Sequence, residues 1–220
     1  MKRSDIPIVH ERLMADFKTS PAPIIDLIAA QGADSFKILV ATILSARTRD
    51  ETTSAVITNQ LFPHVSCLAD LRAQSVEAIE KMIYPVGFYR QKARALKQLP
   101  EVIDAKFGGC IPETIEELCK LPGVGRKTAN LVVAVAFDKP AICVDVHVHR
   151  INNRLGLIKT KTPLETEMVL RKILPIEYWK TWNACFVSFG QRRCKPVRPQ
   201  CPGCFLLEFC DHGQQVASSK

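Results

Sequence analysis

The stretch Leu118-CKLPGVGRKTAN-Leu131 decides how this chain is read. Thr114 to Leu121 repeats its apolar residues at helical spacing, Pro122 and Gly123 force a turn, and a second helical pattern runs from Arg126 to Phe137. Gly125 permits positive φ or a close backbone approach. The segment is therefore a helix, a glycine hairpin and a second helix. Exposed amides from Gly123 to Gly125, beside a helix N-terminus, suit one phosphate without reading any base. Taken alone, the motif reads first as a plain turn between packed helices.

Working outward, the same periodicity dominates the chain. Ile8, Leu13, Met14 and Phe17 space out one amphipathic face, and Phe36, Leu39, Val40, Ile43 and Leu44 form a broader one behind Asp34 or Ser35 as N-cap. Further helices are expected over 52–61, 76–83, 91–107, 164–174 and 178–189. One segment, Ala141-ICVDVHVH-Arg150, alternates like a strand. Yet Val144, Val148, Ile151 and Leu155 recur at i, i+4, i+7 and i+11, which places a helix directly after Asp145 as its N-cap. The chain reads as all-α.

Composition sets the broad class. With 220 residues, 47% hydrophobic and 24% charged, the chain can bury a core without disulfides. The longest apolar run, Leu131 to Phe137, is far short of the ~20 residues of a spanning helix. The N-terminus MKRSDIPIVHERLMADFK breaks its apolar residues with charges and offers no signal-peptide core, so a cytoplasmic, prokaryotic protein with no membrane partner is expected. Thirty Lys and Arg against 22 Asp and Glu leave a net charge of +8, which favours a polyanionic partner such as nucleic acid.

Nine cysteines without an export signal point to a reducing compartment and a metal centre. Four of them, Cys194, Cys201, Cys204 and Cys210, have the spacing C-x6-C-x2-C-x5-C. Four thiolates on short Pro-rich loops can close a tetrahedral zinc site or hold an iron–sulfur cluster, and the spacing leaves both open. Lys195 and Arg198, between prolines in the first of these loops, present two positive charges that can sit on phosphates. Cys67, Cys110, Cys119, Cys143 and Cys185 fall within apolar patterns and read as small core residues.

LPGVGRKTAN, then Val144-Asp145-Val146-His147 with Asp145 eighteen residues after Lys127, then the four-cysteine tail, resembles the endonuclease III family of helix-hairpin-helix DNA glycosylases. Weaker similarity at Leu44-Ser45-Ala46 to Asp50, Gly87-Phe88-Tyr89 and Lys92-Ala93 extends the resemblance over nearly the whole chain. It implies a two-domain, all-helical fold: a six-helix domain over 29–139 carrying the hairpin, and an iron–sulfur domain made of 1–28 and 140–220. It also implies that the metal centre is a [4Fe-4S] cluster held by the four tail cysteines.

By the same resemblance the activity is excision of oxidised or ring-saturated pyrimidines from double-stranded DNA, followed by β-elimination at the abasic site. The partner is damaged or abasic duplex DNA, met by a monomer at the nucleoid. Lys127 is then the amine that attacks C1′ to form a Schiff base. The positive end of the helix dipole and partial burial both favour its neutral form. Asp145 stabilises positive charge developing on the sugar. Leu121, Gly123, Val124 and Gly125 hold the backbone, and Phe88 is the apolar wedge that fills the gap left by the flipped nucleotide. His147 and His149 are structural or face phosphate. Arg47 departs from the family pattern, which has glutamine beside the orphaned base, and so puts opposite-base preference in question. Two further functions are compatible with the sequence: a mismatch glycosylase acting on thymine or uracil opposite guanine, and a non-catalytic iron–sulfur DNA-binding protein.

Overall fold

A computed structural model of the chain describes residues 1–19 and 24–218, and among these the fold is all helical. The chain separates into two compact units, one made of residues 1–21 with 140–220 and the other of residues 22–139. The expected domain boundary at residue 28 therefore moves. Residues 20–23 lie outside the described set, and the helix that follows them packs into the second unit.

Helix α1 (Ile6–Lys18) buries Ile6, Val9 and Leu13, the i, i+3, i+7 face of its sequence. The second unit then runs α2 (Ile24–Ala30), α3 (Ser35–Ser45), α4 (Asp50–Val56, continued by a π-helical turn over Ile57–Leu61), α5 (Leu68–Ala73), α6 (Val76–Ile83), α7 (Tyr89–Phe107), α8 (Ile115–Leu118) and α9 (Arg126–Ala136). Among the described residues this unit carries eight α-helices, two of them, α5 and α8, of six residues or fewer. Asp34, rather than Ser35, caps α3, its carboxylate accepting from the Lys37 amide at 2.9 Å. Such a cap contributes about 1 kcal/mol. α3 is buried nearly all round, from Phe36 to Leu44, and packs against α9 and α7, so it forms the centre of this unit. Every apolar side chain of that size removed from water contributes roughly 1.5 to 3 kcal/mol, which makes α3 the frame on which its flanking loops are hung.

Residues 141–145 enter the other unit as extended chain with Ile142 and Val144 buried, and α10 (Val146–Leu155) begins directly after Asp145. Helical periodicity thus outweighs the strand-like alternation. α11 (Pro163–Ile173), α12 (Trp179–Arg192) and α13 (Asp211–Ser218) complete the unit. Its core joins α1, α10 and α12 through Leu13, Val148, Ile151, Trp182, Phe186 and Phe189. A glycine inside a helix costs about 1 kcal/mol relative to alanine, and Gly190 in α12 has a reason to be there. A Cβ at that position would lie 2.4 Å from the Nδ1 of His147 on α10.

Two sequence expectations change. The helix expected over 114–121 is confined to Ile115–Leu118, because the chain already turns at Cys119. Of the five cysteines read as core residues only Cys143 and Cys185 are buried; Cys67, Cys110 and Cys119 are exposed. Cys67 precedes α5, Cys110 follows the paired positive-φ glycines 108 and 109, and Cys119 ends α8, so each sits at a helix end where the apolar face runs out.

Candidate functional site

In the unit of residues 22–139 the hairpin joins α8 to α9 as expected. Gly123 has φ +77°, and a Cβ there would lie 3.0 Å from that of Ala95 on α7. Both the turn and the close approach require glycine. Leu121 and Val124 turn their side chains into the core, at 3% and 8% exposure, so this pair can offer DNA only backbone. The Val124 amide donates to the Leu121 carbonyl at 3.2 Å, which narrows the expected cradle of three amides to Gly123 and Gly125. Lys127 stands in the first turn of α9, two residues after the N-cap Gly125. It is exposed, not partly buried.

Arg47, Phe88 and Gly123 share one open groove of about 650 Å³, lined also by Ile43, Ala46, Gln91, Lys92 and Ala95. The Phe88 ring is 54% exposed, an unusual setting for a large apolar side chain, and the Arg47 guanidinium carbon lies 5.5 Å from its centroid. Both residues have left-handed backbones, φ +56° at Arg47 and +58° at Phe88. Half-burial lowers the pKa of neighbouring Lys92 to about 8. Sequence reasoning gave Lys92 no role. Its one local signal was a cation in the first turn of α7, where the helix dipole disfavours it.

In the other unit Asp145 is 8% exposed and caps α10, one carboxylate oxygen accepting from the amides of His147 at 2.8 Å and Val148 at 2.9 Å. The carboxylate is held by backbone, so its direction is fixed without help from long side chains. His149 Nδ1 is 2.7 Å from the Thr166 hydroxyl, and His147 Nδ1 is 3.1 Å from Arg150 Nη2. Both imidazoles are thus engaged within the protein.

Cys194, Cys201, Cys204 and Cys210 line one cavity. Burial raises the thiol pKa of Cys204 and of Cys210. Arg154 Nη1 donates to Cys194 Sγ at 3.3 Å, and the Gly213 amide donates to Cys210 Sγ at the same distance. The first loop of the tail is tied to α10 by two arginines that sequence reasoning left unassigned. Arg150 donates to the Cys194 carbonyl at 2.7 Å, and Arg154 to the carbonyls of Lys195 at 2.7 Å and Pro196 at 2.8 Å. Lys195 and Arg198 are exposed, the latter with φ +53°.

The family model described as HhH-GPD superfamily base excision DNA repair protein matches residues 40–175. Endonuclease III of Thermotoga maritima is 47% identical over 178 residues, covering 81% of this chain and 83% of that protein. Endonuclease III of Bacillus subtilis is 40% identical over 184 residues, covering 83% and 84%. The chain belongs to the endonuclease III family. Among solved structures, a trapped endonuclease III–DNA covalent intermediate, an estranged-adenine complex, matches with TM-score 0.87 at 36% identity over 99% of both chains. A thermostable thymine-DNA glycosylase matches with TM-score 0.82 at 23% identity, over 96% of this chain and 98% of that one, a likeness of fold alone. Family membership makes this chain a base excision repair enzyme, a DNA glycosylase/lyase. None of its described helices is long and apolar enough to cross a membrane.

Proposed function

We propose that this enzyme excises oxidised or ring-saturated pyrimidines from duplex DNA and then cleaves the strand by β-elimination, with Lys127 as nucleophile and Asp145 as the charge-stabilising carboxylate. The observation that carries this reading is the placement of Lys127, an exposed amine in the helical turn directly behind the Gly123–Gly125 hairpin. A phosphate seated on that hairpin brings the adjacent sugar to the amine. The Lys127 nitrogen forms a bond to C1′ as the bond from C1′ to the base breaks and the base leaves with its electron pair. The cationic character that C1′ acquires on the way is what a fixed carboxylate at Asp145 stabilises. Ring opening gives the Schiff base, loss of a 2′-proton follows, and the 3′-phosphate departs. In a relative at 36% identity a covalent DNA intermediate has been trapped, which supports the same chemistry here.

The tail cysteines fit a [4Fe-4S] cluster. All four line one cavity, the donor set is sulfur only, and two N–H groups already point at the sulfurs of Cys194 and Cys210. Bound there, the cluster supplies cross-linking of a tail that has little apolar core of its own. Lys195 and Arg198 contact phosphate, and Arg47 and Phe88 occupy the gap left by the flipped nucleotide. The protein acts as a monomer on chromosomal DNA at the nucleoid of a prokaryotic cell.

Borohydride trapping on an abasic duplex tests the central claim. Wild-type protein gives a covalent adduct, and Lys127→Gln gives none while still binding the duplex, because phosphate contacts supply the affinity. Retained trapping in the variant would move the nucleophile elsewhere, and no trapping by wild type would leave a binding protein. A panel of lesion duplexes separates oxidised pyrimidines from thymine or uracil opposite guanine.

A further inference from the structure

Lys92 is the hub of a polar network that joins three separate segments. Its ammonium donates to the carbonyls of Leu44 at 2.8 Å and Ala46 at 2.6 Å and to the hydroxyl of Thr48 at 3.2 Å. Three donors meet three acceptors, so the group is fully used. The two carbonyls belong to the last turn and C-cap of α3, where intrahelical amides run out and the negative end of the helix dipole lies. A cation that is misplaced at the start of its own helix is thus well placed at the end of another.

Thr48 carries the network onward. Its hydroxyl oxygen also accepts from the Gly87 amide at 3.2 Å and donates to the Ala46 carbonyl at 3.4 Å. Gly87 lies so close to the other loop that a Cβ on it would be 2.6 Å from the Arg47 carbonyl. The residues directly beside these contacts, Arg47 and Phe88, are the two left-handed non-glycine residues of the groove. Such a backbone is strained and persists only where its surroundings hold it.

We propose that Lys92 is a positioning residue for lesion recognition: by clamping 44–48 against the 87–88 turn it holds Arg47 and Phe88 as one preformed plug for the gap in the duplex. The proposal rests on the reading that these two side chains enter the DNA. Preformation matters because a plug that must be ordered after the nucleotide flips adds its ordering cost to the barrier. Base excision from a duplex needs the plug. β-Elimination at an abasic site in single-stranded DNA, with no opposite base to estrange, does not.

The test compares Lys92→Met, which keeps length but removes charge and donors, with Lys92→Arg and Thr48→Val. Single-turnover base excision from a lesion duplex is measured beside cleavage of a single-stranded abasic oligonucleotide, with 2-aminopurine opposite the lesion reporting loss of stacking. Lys92→Met and Thr48→Val should each slow duplex excision about tenfold or more and lower the 2-aminopurine signal, with single-strand cleavage within about twofold of wild type. Lys92→Arg should recover much of the duplex rate. Equal losses on both substrates, or none on either, overturn the proposal. Should Lys92→Met not fold, Thr48→Val carries the same comparison from the other end of the network. Arg47→Ala and Phe88→Ala separate the underlying reading: if they leave duplex excision unchanged, the plug itself is wrong. If they slow it while Lys92→Met does not, only the role of Lys92 fails.

Discussion

The groove beside α3 and the four-cysteine tail hold their functional residues by opposite means. Arg47 follows α3, a helix buried along most of its length, Phe88 is the N-cap of α7, and the two are fixed by short polar contacts spanning 39 to 48 residues of sequence. The tail spends residues 193–210 largely in turns, with Cys201 and Leu206 as its buried apolar residues, and leans on arginine-to-carbonyl bonds from α10. A region built on a core can carry strained backbones. A region without one needs cross-links.

That contrast is broken most severely at the cysteines. Cys201→Ser should give insoluble protein or soluble protein without iron, whereas wild type should be yellow-brown with about four irons per chain. Iron quantitation and the visible spectrum decide, and stoichiometric zinc in freshly purified wild type would overturn the assignment. Replacing Arg47 or Phe88 should not unfold their unit in this way, since α3 keeps its apolar packing whatever its loop does.

Asp145→Asn removes charge without removing the cap. The amide oxygen of asparagine can still accept from His147 and Val148, and asparagine is as good an N-cap as aspartate. Base excision should fall by about 10² to 10³, with the thermal midpoint within a few degrees of wild type. A variant that melts far earlier would make the residue structural first.

These two cases also show what a sequence can disclose. The cap at Asp145 and the helix behind it were legible because a capping residue and its helix are neighbours, and Val76–Ile83 likewise matched its apolar period to the residue. Helices α2, α5 and α13 were missed: α2 (IIDLIAA) is apolar nearly all round and α13 (DHGQQVAS) has almost no apolar residues, so neither shows a face, and α5 is a single six-residue piece. The cysteine spacing was legible too, and the folded chain lines one cavity with all four of those residues. Lys92 announced little beyond its place in the first turn of α7, since its partners are distant in sequence and two of its three are backbone carbonyls, which carry no residue identity.

Arg47→Gln sharpens the comparison within the groove. Arginine offers five donors and no acceptor, so beside an orphaned base it satisfies acceptors only. Guanine O6 and N7 accept a bidentate arginine, while adenine sets its N7 acceptor beside an N6 donor. Wild type should therefore prefer lesions opposite guanine over adenine by roughly ten- to a hundredfold more than Arg47→Gln does, the worth of about one good base contact, ~1 to 3 kcal/mol. Single-turnover cleavage of one lesion opposite each base gives the ratio. An unchanged ratio, with both pairings slowed alike, would place Arg47 on phosphate instead.

The smallest effect is expected where the tail meets solvent. Arg154 holds the loop through the carbonyls of Lys195 and Pro196, so the side chains of Lys195 and Arg198 can be replaced without releasing the backbone. At position 198, where φ is +53°, asparagine tolerates the left-handed conformation better than most residues, which makes Arg198→Asn a clean removal of charge. If both side chains contact phosphate, Lys195→Gln and Arg198→Asn should each reduce the slope of log affinity against log salt by about 0.9. Damaged and undamaged duplexes should weaken together, because a phosphate contact carries no sequence information. Titrations of both duplexes at four salt concentrations read the slopes directly. A loss confined to the damaged duplex would show that this loop senses the lesion, and an unchanged slope would return both residues to a solvated basic loop.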